Sequence, residues 1–151
     1  MVKKLHVFVL LCIPVVTAAL PLAAQPIHVT ATIPFEFYVG DRTMPAGEYT
    51  ISNGIETNVL SIRTRDSRAV VNATSMPRRT ADGGTPAETL LLFRRYGNEY
   101  YLNEIWSSAA PFGRELLKSR TERELSKSAG VRPHSVFVLA QDRGVRNTVR
   151  R

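Results

Sequence analysis

The stretch Ile27-His28-Val29-Thr30-Ala31-Thr32-Ile33-Pro34-Phe35-Glu36-Phe37-Tyr38-Val39-Gly40 decides the fold. Every odd position from Ile27 to Val39 is apolar, and most even positions are polar. A period of two marks a strand with one buried face, because successive side chains leave a strand on opposite sides. Pro34 falls on the other face and cannot donate to a ladder, so the strand lies at a sheet edge or bends there. A bend at that point lets one segment serve two sheets.

Downstream the same alternation recurs between turn signals. Gly40-Asp41 and Met44-Pro45-Ala46-Gly47 are turn chemistry, followed by a short strand through Tyr49 and Ile51. Asn53-Gly54 predicts a tight type I′ hairpin turn, in which both central residues need positive φ. Residues 59–65 and 69–75 form the next hairpin around Asp66-Ser67, and 76–86, with two prolines and two glycines, reads as an exposed loop. Gly97-Asn98 between 89–96 and 99–106 suits a type II′ turn with glycine first. That register sets Arg95 opposite Tyr100, Arg94 opposite Tyr101, Phe93 opposite Leu102 and Leu91 opposite Glu104. Arginine over a tyrosine ring is a favourable pair, whereas a carboxylate among Leu91, Phe93 and Leu102 is anomalous. Either an arginine such as Arg63 or Arg120 partners Glu104, or a one-residue slip turns it outward.

Ser119-Arg120-Thr121-Glu122 is a capping box, with Gly130 and Pro133 as stop signals, and it predicts a short helix over 120–129 whose apolar face is Leu125 and Ala129. Residues 113–118 either extend this helix or run extended. Residues 136–140 read as a last strand. About seven strands and one short helix in the C-terminal half imply an all-β, mainly antiparallel fold, a small sandwich or barrel.

The whole chain has 151 residues, 44% of them hydrophobic, a formal charge of +7 and one cysteine. This composition excludes a disordered chain, a collagen-like fibre and a disulfide-stapled miniprotein. Its beginning reads as an export signal: Lys3 and Lys4, an apolar run over 5–20, and Leu22-Ala23-Ala24 before Gln25. The run is shorter than the ~20 residues that span a bilayer, which favours a cleaved signal over an uncleaved anchor. Cleavage is expected between Ala24 and Gln25, with Ala19 as the alternative site. Cys12 is preceded by Leu11 rather than a small residue, which argues against lipidation. The expected organisation is a signal over 1–24, a single β domain over 25–142 and a basic tail over 143–151. The mature chain is then cysteine-free, which removes disulfides, thiolate metal sites and a cysteine nucleophile. Its expected location is periplasmic or extracellular, with no transmembrane span after cleavage.

Residues 25–140 carry 14 basic and 12 acidic side chains, so the body is nearly balanced. Arg143, Arg146, Arg150 and Arg151 concentrate positive charge at the end. Such a tail suits a polyanion or the envelope surface, but no aromatic residue is interleaved for base stacking.

Motifs for chemistry are sparse. The mature histidines are His28 and His134, and no G-x-S-x-G elbow accompanies them. Two distant histidines do not make a zinc site. Asp82-Gly83-Gly84 lacks the further carboxylates of a calcium loop, and no glycine-rich nucleotide-binding motif is present. Glu122 and Glu124 point to different helix faces, so they are not a glycosidase pair. Asn72-Ala73-Thr74 is a sequon in a strand-like setting. No catalytic, cofactor-binding or metal-ligating residue is therefore assigned. Glu104, His134 and the four tail arginines stand as the functional candidates, and no cofactor is expected.

Ala31-Thr32-Ile33-Pro34-Phe35-Glu36-Phe37, Met44-Pro45-Ala46-Gly47-Glu48-Tyr49, Arg95-Tyr96-Gly97 and Ser119-Arg120-Thr121-Glu122-Arg123-Glu124-Leu125 follow one another in a distinctive order. The chain in this respect resembles a family of small exported bacterial β-proteins that share I-P-F-x-F, P-A-G-x-Y, R-Y-G and S-x-x-E-R-E-L segments and have no assigned activity. It departs from that pattern at Met44, where leucine is usual, and at Leu117, where proline is usual and would favour an extended segment. The resemblance implies bacterial export and a shared β fold only.

The expected function is that of a non-enzymatic exported β domain that binds or scaffolds in the cell envelope, through an envelope protein or self-association at a strand edge. The alternatives are polyanion or envelope-surface binding by the tail, and a hydrolase using Glu104 or His134.

Overall fold

A computed structural model describes residues 27–56, 58–128 and 132–143. The apolar alternation of the opening stretch becomes two strands, β1 (His28–Ile33) and β2 (Phe37–Val39), broken at Pro34. β1 pairs with strands that β2 never meets, so the bend does divide one segment between two ladders. The odd-position rule survives the break: Ile27, Val29, Ala31, Ile33, Phe37 and Val39 are all buried, and Phe35 packs against them.

The chain continues through β3 (Arg42–Met44), β4 (Gly47–Asn53), β5 (Val59–Thr64), β6 (Val70–Arg79), β7 (Leu90–Tyr96), β8 (Glu99–Trp106) and β9 (Phe112–Leu116). The helix α1 (Arg120–Ser128) follows, then β10 (His134–Leu139) and β11 (Gln141–Asp142). The fold is thus mostly β with one late helix. Among the described residues eleven strands form one large mixed sheet, in the order β10-β7-β8-β9-β6-β5-β4-β1-β11, with β2 joining β8 and β3 joining β2. The expected count of seven was low, and the sheet is not closed into a barrel. Every ladder is antiparallel except the parallel contact of Tyr38 with Tyr101.

Two local expectations are corrected and one ambiguity is resolved. β4 ends at Asn53 and β5 begins at Val59, so the connection is longer than a two-residue turn, and the Gly54 N–H donates to the Val59 carbonyl at 2.7 Å. Gly54 is not at positive φ; a Cβ there would meet Val59 Cγ1 at 2.9 Å, so close approach is what selects glycine. Residues 76–79 are strand rather than loop, because β6 leaves β5 at Thr74 and pairs with β9 from Ser75 onward. The Ser75 N–H points to Asn58 on the β5 side. Pro77, two residues on, has its nitrogen on that same side, past the end of β5, where no donor is required. Residues 112–116 are extended, which resolves the ambiguity over 113–118.

The turn at Gly97-Asn98 forms as expected, with Gly97 at φ 60° and Asn98 at negative φ. Ser119 caps α1, its hydroxyl accepting the Glu122 N–H at 3.0 Å. Asp41, from the β2–β3 turn, adds a carboxylate at the same end, and the hydroxyls of Thr121 and Ser119 hold it below its ordinary range. A negative charge there also opposes the positive end of the helix dipole. The stop signal at Gly130 lies outside the described residues.

Phe37 lies within the single core cluster, edge-on to Tyr49 at 5.1 Å and to Phe93 at 5.5 Å. All three rings are fully buried, and each contributes roughly 1.5–3 kcal/mol from burial.

Candidate functional site

The β7–β8 hairpin determines where the polar groups go. Arg95 meets Tyr100, Arg94 meets Tyr101 and Phe93 meets Leu102, as the turn dictates. A bulge then intervenes, so that Leu92 faces Glu104 and Leu91 faces Ile105, with Asn103 as the extra residue. The expected pairing of Leu91 with Glu104 is therefore displaced by one residue, and Glu104 turns away from the Leu91/Phe93 core. Arg95 lies over the Tyr100 ring at 5.3 Å, as the pairing requires.

On that outer face Glu104 is still only 9% exposed. Its partner is Arg78, at 3.3 Å, rather than Arg63 or Arg120, and it accepts the Trp106 indole N–H at 2.8 Å. Arg78 also binds Glu115 at 2.6 Å. Arg94 reaches Glu115 at 3.3 Å and Glu122 at 2.7 Å, and it donates to the Asn103 side chain. The result is an alternating chain, Glu122–Arg94–Glu115–Arg78–Glu104, that ties α1 to β6, β7, β8 and β9. The hydrogen bond that Arg78 donates to Glu115, and the charges of Glu104 and Glu115, raise Arg78 further above its ordinary range. The Glu122 carboxylate does not reach back to close the capping box; it turns to Arg94 and to the Tyr96 hydroxyl, at 3.4 Å. Such a chain fixes the helix on the sheet. Both Glu104 carboxylate oxygens are engaged, one by Arg78 and the other by the Trp106 indole.

His134 is the exposed first residue of β10, opposite Arg95. Glu104 shares its row with Leu92 and Phe137, three residues further along β10. The two hydrolase candidates thus stand on opposite faces of the sheet. The export signal with Ala24 and Gln25, and the tail residues Arg146, Arg150 and Arg151, lie outside the described residues. Arg143 is exposed, and its N–H donates to the His28 carbonyl at 2.8 Å.

A second polar cluster was not anticipated. The Asp142 carboxylate accepts the hydroxyls of Ser107 at 2.7 Å, Ser108 at 3.1 Å and Thr89. Thr89 in turn accepts the Ser108 N–H at 2.9 Å. Among the described residues neither serine hydrogen-bonds to a histidine, and the cluster acts as a clasp between β11 and the start of β7. These residues are far apart in sequence and match no motif, so no sequence signal marks them.

Beside the clasp lies a cleft of about 770 Å³. It opens because β10 and β11 diverge. β10 pairs with β7 along its whole length, whereas Ala140 donates to the Thr89 carbonyl and the chain then crosses to β1. β11 meets β1 only at Val29 and Thr30. Thr30, Ala31 and Thr32 line one wall and Leu139, Ala140 and Gln141 the other, with Glu48, Glu88 and Asp142 also at the cleft. Among the described residues β10 has no strand on the side away from β7, and its Phe137 and Leu139 are 67% and 60% exposed.

Among the described residues no three His, Cys, Asp or Glu side chains group to hold a metal ion, and no helix is long and apolar enough to cross a membrane. Comparison with known proteins finds no matching family, no similar curated protein and no similar solved structure.

Proposed function

We propose that this chain is an exported, non-enzymatic β domain that binds or scaffolds in the cell envelope through a strand edge. The observation that carries the reading is β10, whose outer edge has no partner strand among the described residues and whose Phe137 and Leu139 stand exposed. An unpaired edge offers main-chain donors and acceptors to an incoming extended segment, and alternate side chains supply selectivity. The signal-like segment over 1–24 supports export. The chain's polar groups are engaged in ion pairs and clasps rather than poised for chemistry, which favours binding over turnover.

The test is retention of envelope components by the purified protein, compared with a Phe137→Asp/Leu139→Asp variant, with the N-terminus of the exported protein sequenced from fractionated cells. Retention that the variant loses, with an N-terminus at Gln25, supports the reading. Retention indifferent to β10, or a protein confined to the cytoplasm, refutes it.

A further inference from the structure

The outer face of β8 carries an aromatic ring laid flat on the neighbouring strand. Ile105 is buried in the core, so Glu104 and Trp106 leave β8 on the opposite, outer side. A Cβ at Gly113 would lie 2.5 Å from Cε3, 2.6 Å from Cδ2 and 2.8 Å from Cζ3 of Trp106. These are three consecutive ring atoms at nearly equal distance. Approach to the rim would single out one of them, so the indole rests with its face on the Gly113 backbone. The Glu104 carboxylate accepts the indole N–H at 2.8 Å, which fixes the rotation of the ring in that plane.

The other face of the indole is directed off the sheet. The side chain is part-exposed, and among the described residues no other ring and no arginine stacks on it. Arg78 stands opposite Gly113 in the β6–β9 ladder, beside the ring. Its side chain is half-exposed, with Nε 3.3 Å from Glu104 and Nη1 2.6 Å from Glu115, which leaves Nη2 for a ligand. The Glu115 side chain is part-exposed, and its oxygens keep lone pairs beyond those the arginines use. On the other flank Leu90 of β7, the partner of Trp106, adds apolar surface.

A flat apolar face bordered by hydrogen-bonding groups matches a pyranose. The C–H groups of the sugar form an apolar, weakly positive face that suits the negative face of an aromatic ring. Its hydroxyls both donate and accept, so they suit a guanidinium N–H and a carboxylate together. Charge selects a neutral sugar. Glu104, Glu115 and Glu122 outnumber Arg78 and Arg94 in the ion-pair chain, so an anionic ligand gains no net attraction there. A lipid surface would press its apolar chains on those same ion pairs and desolvate them. The ring is already immobilised, so little ordering cost remains when a ligand stacks on it.

We infer that Trp106, with Arg78 and Glu115 at its border, is a stacking platform for a neutral saccharide. The inference rests on reading the chain as a binding domain and names a ligand class. It uses the face of the sheet at Trp106 rather than the edge of β10, so each can fail alone.

Trp106 is the sole tryptophan, and its emission reports occupancy directly. The probes are cellohexaose, chitohexaose and maltohexaose, with polygalacturonate and phosphatidylcholine vesicles for comparison. The expected result is a saturable, salt-insensitive blue shift with at least one of the neutral oligosaccharides. Arg78→Gln keeps the ring and weakens that binding roughly five-fold. Trp106→Phe, followed by calorimetry, weakens it about ten-fold. Both variants keep the parent's far-ultraviolet circular dichroism. No shift with any of the three oligosaccharides, binding indifferent to both substitutions, or a response confined to polygalacturonate or vesicles overturns the inference. If Phe137→Asp/Leu139→Asp loses envelope components that the parent retains while no oligosaccharide shifts the emission, the platform fails and the strand-edge reading stands. If an oligosaccharide binds and that variant retains envelope components as the parent does, the edge reading fails and the platform stands.

Discussion

Arg94 on β7 donates to Glu122 on α1 at 2.7 Å, and the two side chains are only 13% and 4% exposed. Removing one partner leaves a desolvated charge, which is more costly than never having buried the pair. Arg94→Met is therefore expected to destabilise the fold by about 3–5 kcal/mol, read as a lower urea midpoint at unchanged slope. Arg94→Met/Glu122→Leu should recover part of that loss, since no charge is then stranded between helix and sheet. A double variant as unstable as the simple sum would show that the pair is not coupled.

Gly113 lies under the ring of Trp106, where a Cβ would come within 2.5 Å of Cε3. Gly113→Ala must displace the indole, at a cost of about 1–3 kcal/mol. Trp106 is the sole tryptophan, so its emission reports the displacement directly as a red shift. Unchanged emission and stability would mean that the ring does not rest on Gly113.

Glu104 is an acceptor for that same indole. Glu104→Gln keeps an oxygen for the Trp106 N–H and loses only the half-exposed Arg78 pair, so its effect should stay below about 1 kcal/mol. Glu104→Ala leaves the N–H without its acceptor and should cost about 1–3 kcal/mol. Chemical denaturation distinguishes them, and equal effects would place the importance of Glu104 in its charge instead.

Asp41 gives the acid limb of stability a specific source. The Thr121 hydroxyl, then that of Ser119, holds its carboxyl below the ordinary 3.8. A folded value below the unfolded one means a contribution that is complete above the unfolded value. It disappears as pH falls through the lowered folded value. Asp41→Asn should accordingly be less stable than the parent near about pH 6, with the gap closing as pH falls below 3.8 through the lowered folded value. A gap that persists in acid would assign the effect to packing at the helix N-terminus rather than to charge.

Much of this protein was written locally in its sequence. The odd-position rule from Ile27 to Val39 marked the buried face, and Pro34 marked the break, because pleat and proline geometry depend on a few neighbouring residues. The Gly97-Asn98 turn and the Ser119 cap followed for the same reason. What tertiary structure alone decided depends on which strands become neighbours. Pro77 is tolerated in β6 because β5 has ended beside it, and the bulge at Asn103 turns Glu104 outward to Arg78 and Trp106. Thr89, Ser107, Ser108 and Asp142 meet only because β10 bends at Ala140 from β7 to β1. That bend opens the cleft, and no sequence periodicity records it, because its two walls come from opposite ends of the described chain.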